Sequence, residues 1–161
     1  MVEMELVGVR VELPSNAPIV LLRETEGERR LLPIFIGGPE ATAIAYALEN
    51  VTPPRPQTHD LMKNLLDELS ANVQRIVVTE LVDHTFFAEI EIMSNGRLHR
   101  VSSRPSDAIA LAVRVGTPIF ASEAVLEEAG HTASEEPEEA EEVVAEFREF
   151  IEKVNPEDFA S

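Results

Sequence analysis

The stretches PRPQTHDLMKNLL (54–66) and SRPSDAIALAVR (103–114) each set an Arg-Pro pair, a hydroxyl and an aspartate ahead of an apolar helical run. Arg55, Thr58, His59 and Asp60 form the first group, and Arg104, Ser106 and Asp107 the second. A third acid, Glu40, follows Gly37-Gly38 and Pro39 at the head of PEATAIAYALEN. Each acid falls in a predicted first helical turn, where a carboxylate complements the helix dipole by about 0.3–1 kcal/mol. Thr58 and Ser106 are of the type that caps exposed N–H groups. Capping accounts for each head taken singly. Taken together, free N–H groups, two guanidinium groups and several carboxylates suit a phosphate held beside Mg²⁺ or Mn²⁺, provided the heads converge. His59, at a loop-to-helix junction among charges, is the best titratable candidate and would serve hydrolysis as a general base.

Other enzyme signatures are missing. The chain has no G-x-x-x-x-G-K-[ST], G-x-S-x-G or H-E-x-x-H and no zinc-ligand spacing. Gly37-Gly38 before a helix is a weak anion-binding cue. With one tyrosine and no tryptophan there is little for base stacking. His84 and His99 fall in a turn and a strand and read as structural, and His131 as solvated.

The elements that must position these residues are legible in the hydrophobic period. The N-terminal segment alternates with a slip at Gly8, which predicts a long strand with a bulge. PIVLLRE and RRLLPIFI flank Glu26-Gly27 as a hairpin. Pro39 suits a first helical position, and Ala43, Ile44, Ala47 and Leu48 recur at helical spacing. VTPPRPQ is a stiff loop. A helix follows over about 58–69, with Leu61, Leu65 and Leu69 on one stripe and Met62 and Leu66 beside it. VQRIVVTELV, TFFAEIEIM and LHRVSS then form a meander turning at Asp83-His84 and Asn95-Gly96. PSDAIALAVRV is a small-residue helix ended by Gly116, PIFA a short strand, and SEAVLEEA a helix with Ser122 as N-cap. The blocks predict an α+β fold: a mixed or antiparallel sheet of five to six strands, three to four packing helices and a C-terminal amphipathic helix.

Two parts are expected, an α+β domain over 1–130 and an acidic linker with a helix over 131–161. In the second, Val143, Val144, Phe147, Phe150, Ile151 and Val154 mark one face that needs a partner surface. The chain has 161 residues and a net charge of −17, roughly half of it in this tail. That balance disfavours nucleic acid as a non-specific partner, because such binding rests on Lys and Arg neutralising phosphates. A nucleic-acid role would require a local basic strip or a bridging metal. No cysteine, no basic-then-apolar N-terminal segment and no apolar run of ~18 residues point to a cytoplasmic protein without a membrane partner. A homo-oligomer is expected.

LPIFIGGPEATAIAYALENVTPPRPQTHDLMKNLL and SSRPSDAIALAVRVGTPIFASEAVLEEAG closely resemble the bifunctional nuclease (BFN) domain family of bacteria and plants over about 1–130. FREFIEKVNPEDF resembles a tail found on bacterial members. The resemblance implies an α+β fold and nuclease activity, hydrolysis of phosphodiesters in DNA and RNA. It places Glu40, Arg55, Thr58, His59, Asp60, Arg104, Ser106 and Asp107 in the family's recurrent polar set. Under this reading Glu40, Asp60 and Asp107 hold Mg or Mn, and His59, Asp60 and Asp107 are catalytic. Arg55, Thr58, Arg104 and Ser106 bind phosphate. The alternatives are a non-catalytic small-ligand or regulatory module using the same helix heads, and an interaction domain using the acidic tail.

Overall fold

The computed structural model describes residues 1–132. The expected C-terminal helix and its Phe147–Phe150 stripe lie outside the described residues.

The chain opens with β1 (Val2–Glu12), whose register against β2 (Ala17–Glu24) shifts between Leu6 and Gly8, the expected bulge. β2 turns back into β3 (Leu31–Phe35). Two helices follow, α1 (Gly38–Leu48) and α2 (Thr58–Glu68), separated by the proline-rich loop. The meander is β4 (Asn72–Val82), β5 (Thr85–Ser94) and β6 (Arg97–Ser103). Both of its turns place two left-handed residues in a row, Asp83 and His84 (φ 49° and 63°), then Asn95 and Gly96 (51° and 72°). That conformation matches the right-handed twist of the flanking strands and so sets the hairpin register. The described chain closes with α3 (Pro105–Val115), β7 (Ile119–Ala121) and α4 (Glu123–Ala129). Gly116 ends α3 at φ 72°, and the Ser122 hydroxyl accepts the Val125 N–H to start α4. Among the described residues no helix is long and apolar enough to cross a membrane.

The fold is α+β, as expected. Its strands form one sheet in the order β3-β2-β1-β7-β4-β5-β6, seven rather than five to six. The short β7 joins the halves, antiparallel to β1 and parallel to β4. One face of this sheet is buried. Val20, Leu22, Leu32, Ile34, Ile76, Val78, Ile90 and Ile119 join Ile44 of α1, Ile109 and Leu111 of α3, and Leu126 of α4 in a single core. His131 pairs its backbone with Leu31, so strand pairing reaches one residue past the boundary expected at 130.

Helix α2 turns its three-leucine stripe outward. Its Leu61, Leu65 and Leu69 are 51%, 54% and 71% exposed, while Met62 and Leu66 pack on the core. The cause lies in the first turn. His59 shares the face of Met62 and Leu66 at i+3 and i+7, and that face is turned inward so that His59 reaches α3.

Candidate functional site

The heads of α1, α2 and α3 meet in one cleft because both α1 and α2 pack against α3. The cleft measures about 160 Å³, and its walls include Glu40, Tyr46, Thr58, His59, Arg104, Asp107 and Arg114. His59, buried at 6% exposure, contacts Asp107 across the two helix heads, with Nε2 2.9 Å from Oδ1. Arg104 continues the chain. Its Nε donates to Asp107 Oδ2 at 2.8 Å, and its terminal nitrogen donates to Glu40 Oε1 at 2.9 Å. Three elements are thus joined through four side chains, with the Arg104 side chain 64% exposed at the mouth.

Electrostatics orders this row. Burial pushes the Asp107 carboxyl up, but hydrogen bonds from Arg104 and His59 outweigh it and hold its pKa below the ordinary value. Arg104 is raised by its bonds to Asp107 and then Glu40. An ionised Asp107 accepts from the Nε2–H of His59, and this leaves Nδ1 as the basic nitrogen.

The two similar helix heads do different work. Asp60 behaves as a cap: its Oδ2 accepts the Gln57 N–H at 2.9 Å, and its Oδ1 accepts from Arg114 Nε at 2.7 Å. Burial raises its pKa, but the bonds from Arg114 and the Gln57 N–H bring the balance below the ordinary value. Asp107 has its oxygens on His59 and Arg104 instead. Gln57 and Arg104 occupy the N-cap positions, so Thr58 and Pro105 are already helical and neither Thr58 nor Ser106 is the N-cap. Ser106 is buried outside the cleft wall, and Arg55 is exposed outside it.

At the head of α1, Glu40 folds back over the Gly37 backbone, and a Cβ on residue 37 would collide with its carboxylate. The Gly37-Gly38 anion cue is therefore met from within the chain. Arg114 and Tyr46 are among the lining residues that the helix-head pattern missed. Arg114 lies two turns beyond Asp107 on the same face of α3, a lone cation in an apolar helix, and it also donates to Ala43 O on α1 at 2.9 Å. Tyr46 is 5% exposed, and its hydroxyl is buried with no hydrogen-bond partner among the described residues. The lone arginine was a readable signal; the stranded hydroxyl had none.

Mg²⁺ and Mn²⁺ require several oxygen ligands facing one point. Glu40, Asp60 and Asp107 do not form such a set here. Asp60 is committed to Arg114 and Gln57, and Arg104 lies between Glu40 and Asp107. Among the described residues no three acid or histidine side chains are grouped to hold an ion. In this arrangement the donors fit a guanidinium, not a divalent cation.

An uncharacterised protein of Mycobacterium tuberculosis is 44% identical over 163 residues, covering 98% of this chain and 97% of that one. Bifunctional nuclease 1 of Arabidopsis thaliana is 32% identical over 112 residues, 66% of this chain but 34% of the plant protein. Bifunctional nuclease 1 of rice (Oryza sativa subsp. japonica) is 27% identical over 114 residues, again 34% of its length. The match to the bifunctional nuclease domain runs over residues 20–134, a span that contains every residue lining the cleft. The chain belongs to the bifunctional nuclease domain family.

Proposed function

We propose that the cleft between the three helix heads hydrolyses phosphodiester bonds in nucleic acid. The observation that supports this reading is the His59–Asp107–Arg104 row, a histidine fixed by a carboxylate beside an exposed guanidinium. Arg104 binds the phosphate, since its fork of donors matches two non-bridging oxygens. His59 takes a proton from the attacking water at Nδ1 while Asp107 holds the ring in place. The new P–O bond forms as the bond to the leaving alcohol breaks, and the leaving oxygen takes a proton from solvent. Arg104 stabilises the charge gathering on the phosphoryl oxygens. No step is routed through a metal ion.

The test uses the full chain, freed of host nucleases by successive columns, acting on a dinucleotide. Asp107→Asn should lower kcat by about 10²–10⁴-fold, the range for an oriented general base. Arg104→Ala should raise KM, by a factor that shrinks as salt rises. Chelators should leave the rate unchanged. Undiminished activity in Asp107→Asn, or activity that elutes apart from this chain, would sink the catalytic assignment and leave an anion-binding module.

A further inference from the structure

The segment RLHRVSSR (97–104) holds three arginines and a histidine and no acid, in a chain of net charge −17. It comprises β6 and the residue that follows, and β6 is the outermost strand of the sheet. Every residue from Arg97 to Ser102 is exposed.

The strand register divides these side chains between two faces. Arg97, His99, Val101 and Ser103 stand opposite Ser94, Ile92, Ile90 and Ala88 of β5. Ile90 and Ala88 belong to the core beneath the helices. Side chains alternate along a strand, so Arg97 and His99 lie on the helix-bearing face, as the cleft does. Arg100 is on the other face, opposite Glu91 and 3.4 Å from its carboxylate. Glu89 and Glu91 of the neighbouring strand are on that far face too. The helix-bearing face of β6 therefore carries an arginine and a histidine and no carboxylate, and the strand runs straight into Arg104 at the cleft mouth.

We infer that β6 is the track along which the sugar-phosphate backbone of a single-stranded nucleic acid reaches the cleft, with Arg97 and His99 as its outer contacts and Arg104 as its end. The inference rests on the phosphodiesterase reading and extends it to substrate. An acidic body can hold a polyanion this way because charges separated by more than about 10 Å at 0.1 M salt are largely screened. A cleft of about 160 Å³ admits one phosphodiester and excludes a duplex.

The experiment measures anisotropy of a labelled single-stranded oligonucleotide over a salt series, beside dinucleotide cleavage. It compares the full chain with Arg97→Ala, the double variant Arg97→Ala/His99→Ala and, as a charge control away from β6, Lys63→Ala. Arg97→Ala should weaken oligonucleotide binding several-fold and reduce the slope of log K against log salt by about 0.7, one single-strand phosphate contact. Dinucleotide cleavage should stay at the wild-type rate, and Lys63→Ala should match wild type. Unchanged affinity and slope in the double variant would overturn the track while leaving the cleft's chemistry intact. Variants that self-associate without losing affinity would overturn it as well, since edge charges also keep a strand from pairing with another chain. A wild-type chain that binds the oligonucleotide with the expected slope and cleaves nothing supports the track and removes the catalytic reading. Neither binding nor cleavage by wild type overturns both.

Discussion

Arg114 Nε lies 2.7 Å from Asp60 Oδ1, so the carboxylate that caps α2 is also the one that ties α2 to α3. The Arg114 side chain is only 8% exposed and has no other carboxylate partner among the described ion pairs. Asp60→Ala leaves that guanidinium buried without its counter-charge. A loss of about 2–3 kcal/mol is expected by denaturant unfolding, at or below the roughly 3–5 kcal/mol for a fully buried pair because the Asp60 side chain is 28% exposed. Asp60→Asn, which keeps much of the capping ability, should cost less and spare most cleavage activity. Complete loss of activity in folded Asp60→Asn would return Asp60 to a direct role in the chemistry.

Glu40 competes for the guanidinium that is assigned to phosphate. Glu40→Gln relieves that competition, and affinity for a dinucleotide should rise several-fold, read as a lower Kd in calorimetry. Gly37→Ala should act in the same direction, because the new Cβ expels the Glu40 carboxylate from its seat. A weaker complex in both variants would mean that Glu40 serves the ligand directly.

Tyr46 tests whether a stranded hydroxyl costs stability. Removing a buried polar group that has no partner is neutral or favourable. Tyr46→Phe should raise unfolding free energy by up to about 1 kcal/mol. A drop of that size instead would reveal a partner for the hydroxyl in solution.

Acid should unfold the protein through its paired carboxylates. Glu24 is lowered by its Arg30 hydrogen bond, and Glu91 by its bond to Arg75 and, more weakly, Arg100. A carboxylate whose folded pKa is depressed contributes stability that is fully present above its unfolded pKa and is lost as pH falls towards the folded value. Asp60 and Asp107 act with the same sign. Thermal melts should be flat from pH 7 to about 5 and fall below about pH 4.5, near the ordinary glutamate value. Glu91→Gln should lower Tm at pH 7 and flatten the acid limb. An acid limb as steep as wild type would assign the loss to other groups.

Helix α2 offers a direct contrast within one turn. Leu65 is exposed and Leu66 packs on the core. Leu65→Ala should change stability by no more than about 0.5 kcal/mol, the range for surface sites. Leu66→Ala should cost about 2 kcal/mol, at the low end for a buried leucine because the site is only partly covered. If Leu65→Ala destabilises in a way that depends on protein concentration, copies of the chain are associating through this face.

Much of the fold was written in local signals. Two consecutive left-handed turns were readable from Asp83-His84 and Asn95-Gly96, and Gly116 and Ser122 marked helix ends by conformational and hydrogen-bonding need. The orientation of α2 was not readable, because the Leu61–Leu65–Leu69 stripe and the His59–Met62–Leu66 face are both plausible from period alone. A contact with Asp107, remote in sequence, decided between them. Of the second Arg-Pro head, Arg104 and Asp107 stand in the cleft wall. The recurring pattern implied equivalence between Asp60 and Asp107 that the fold breaks, since Arg114, a cation further along α3, draws Asp60 away. Arg55 lies outside the cleft wall: the same dipeptide precedes both helices, but Arg104 is the N-cap of its helix, whereas Gln57 takes that place in α2.

The short strand β7 touches β1 with three residues and β4 with the same three. It is the seam of the sheet. Helix α1 rides on the β1–β2 side and α3 on the β4–β5 side, so the Glu40–Arg104 contact is a clasp closed across two plates. Helices α1 and α3 also pack directly on each other, and Arg114 of α3 donates to Ala43 O on α1, so the helix layer spans the seam that β7 makes in the sheet. The two sides of the cleft wall are therefore held in register by strand pairing distant from the reacting groups as well as by the helices themselves.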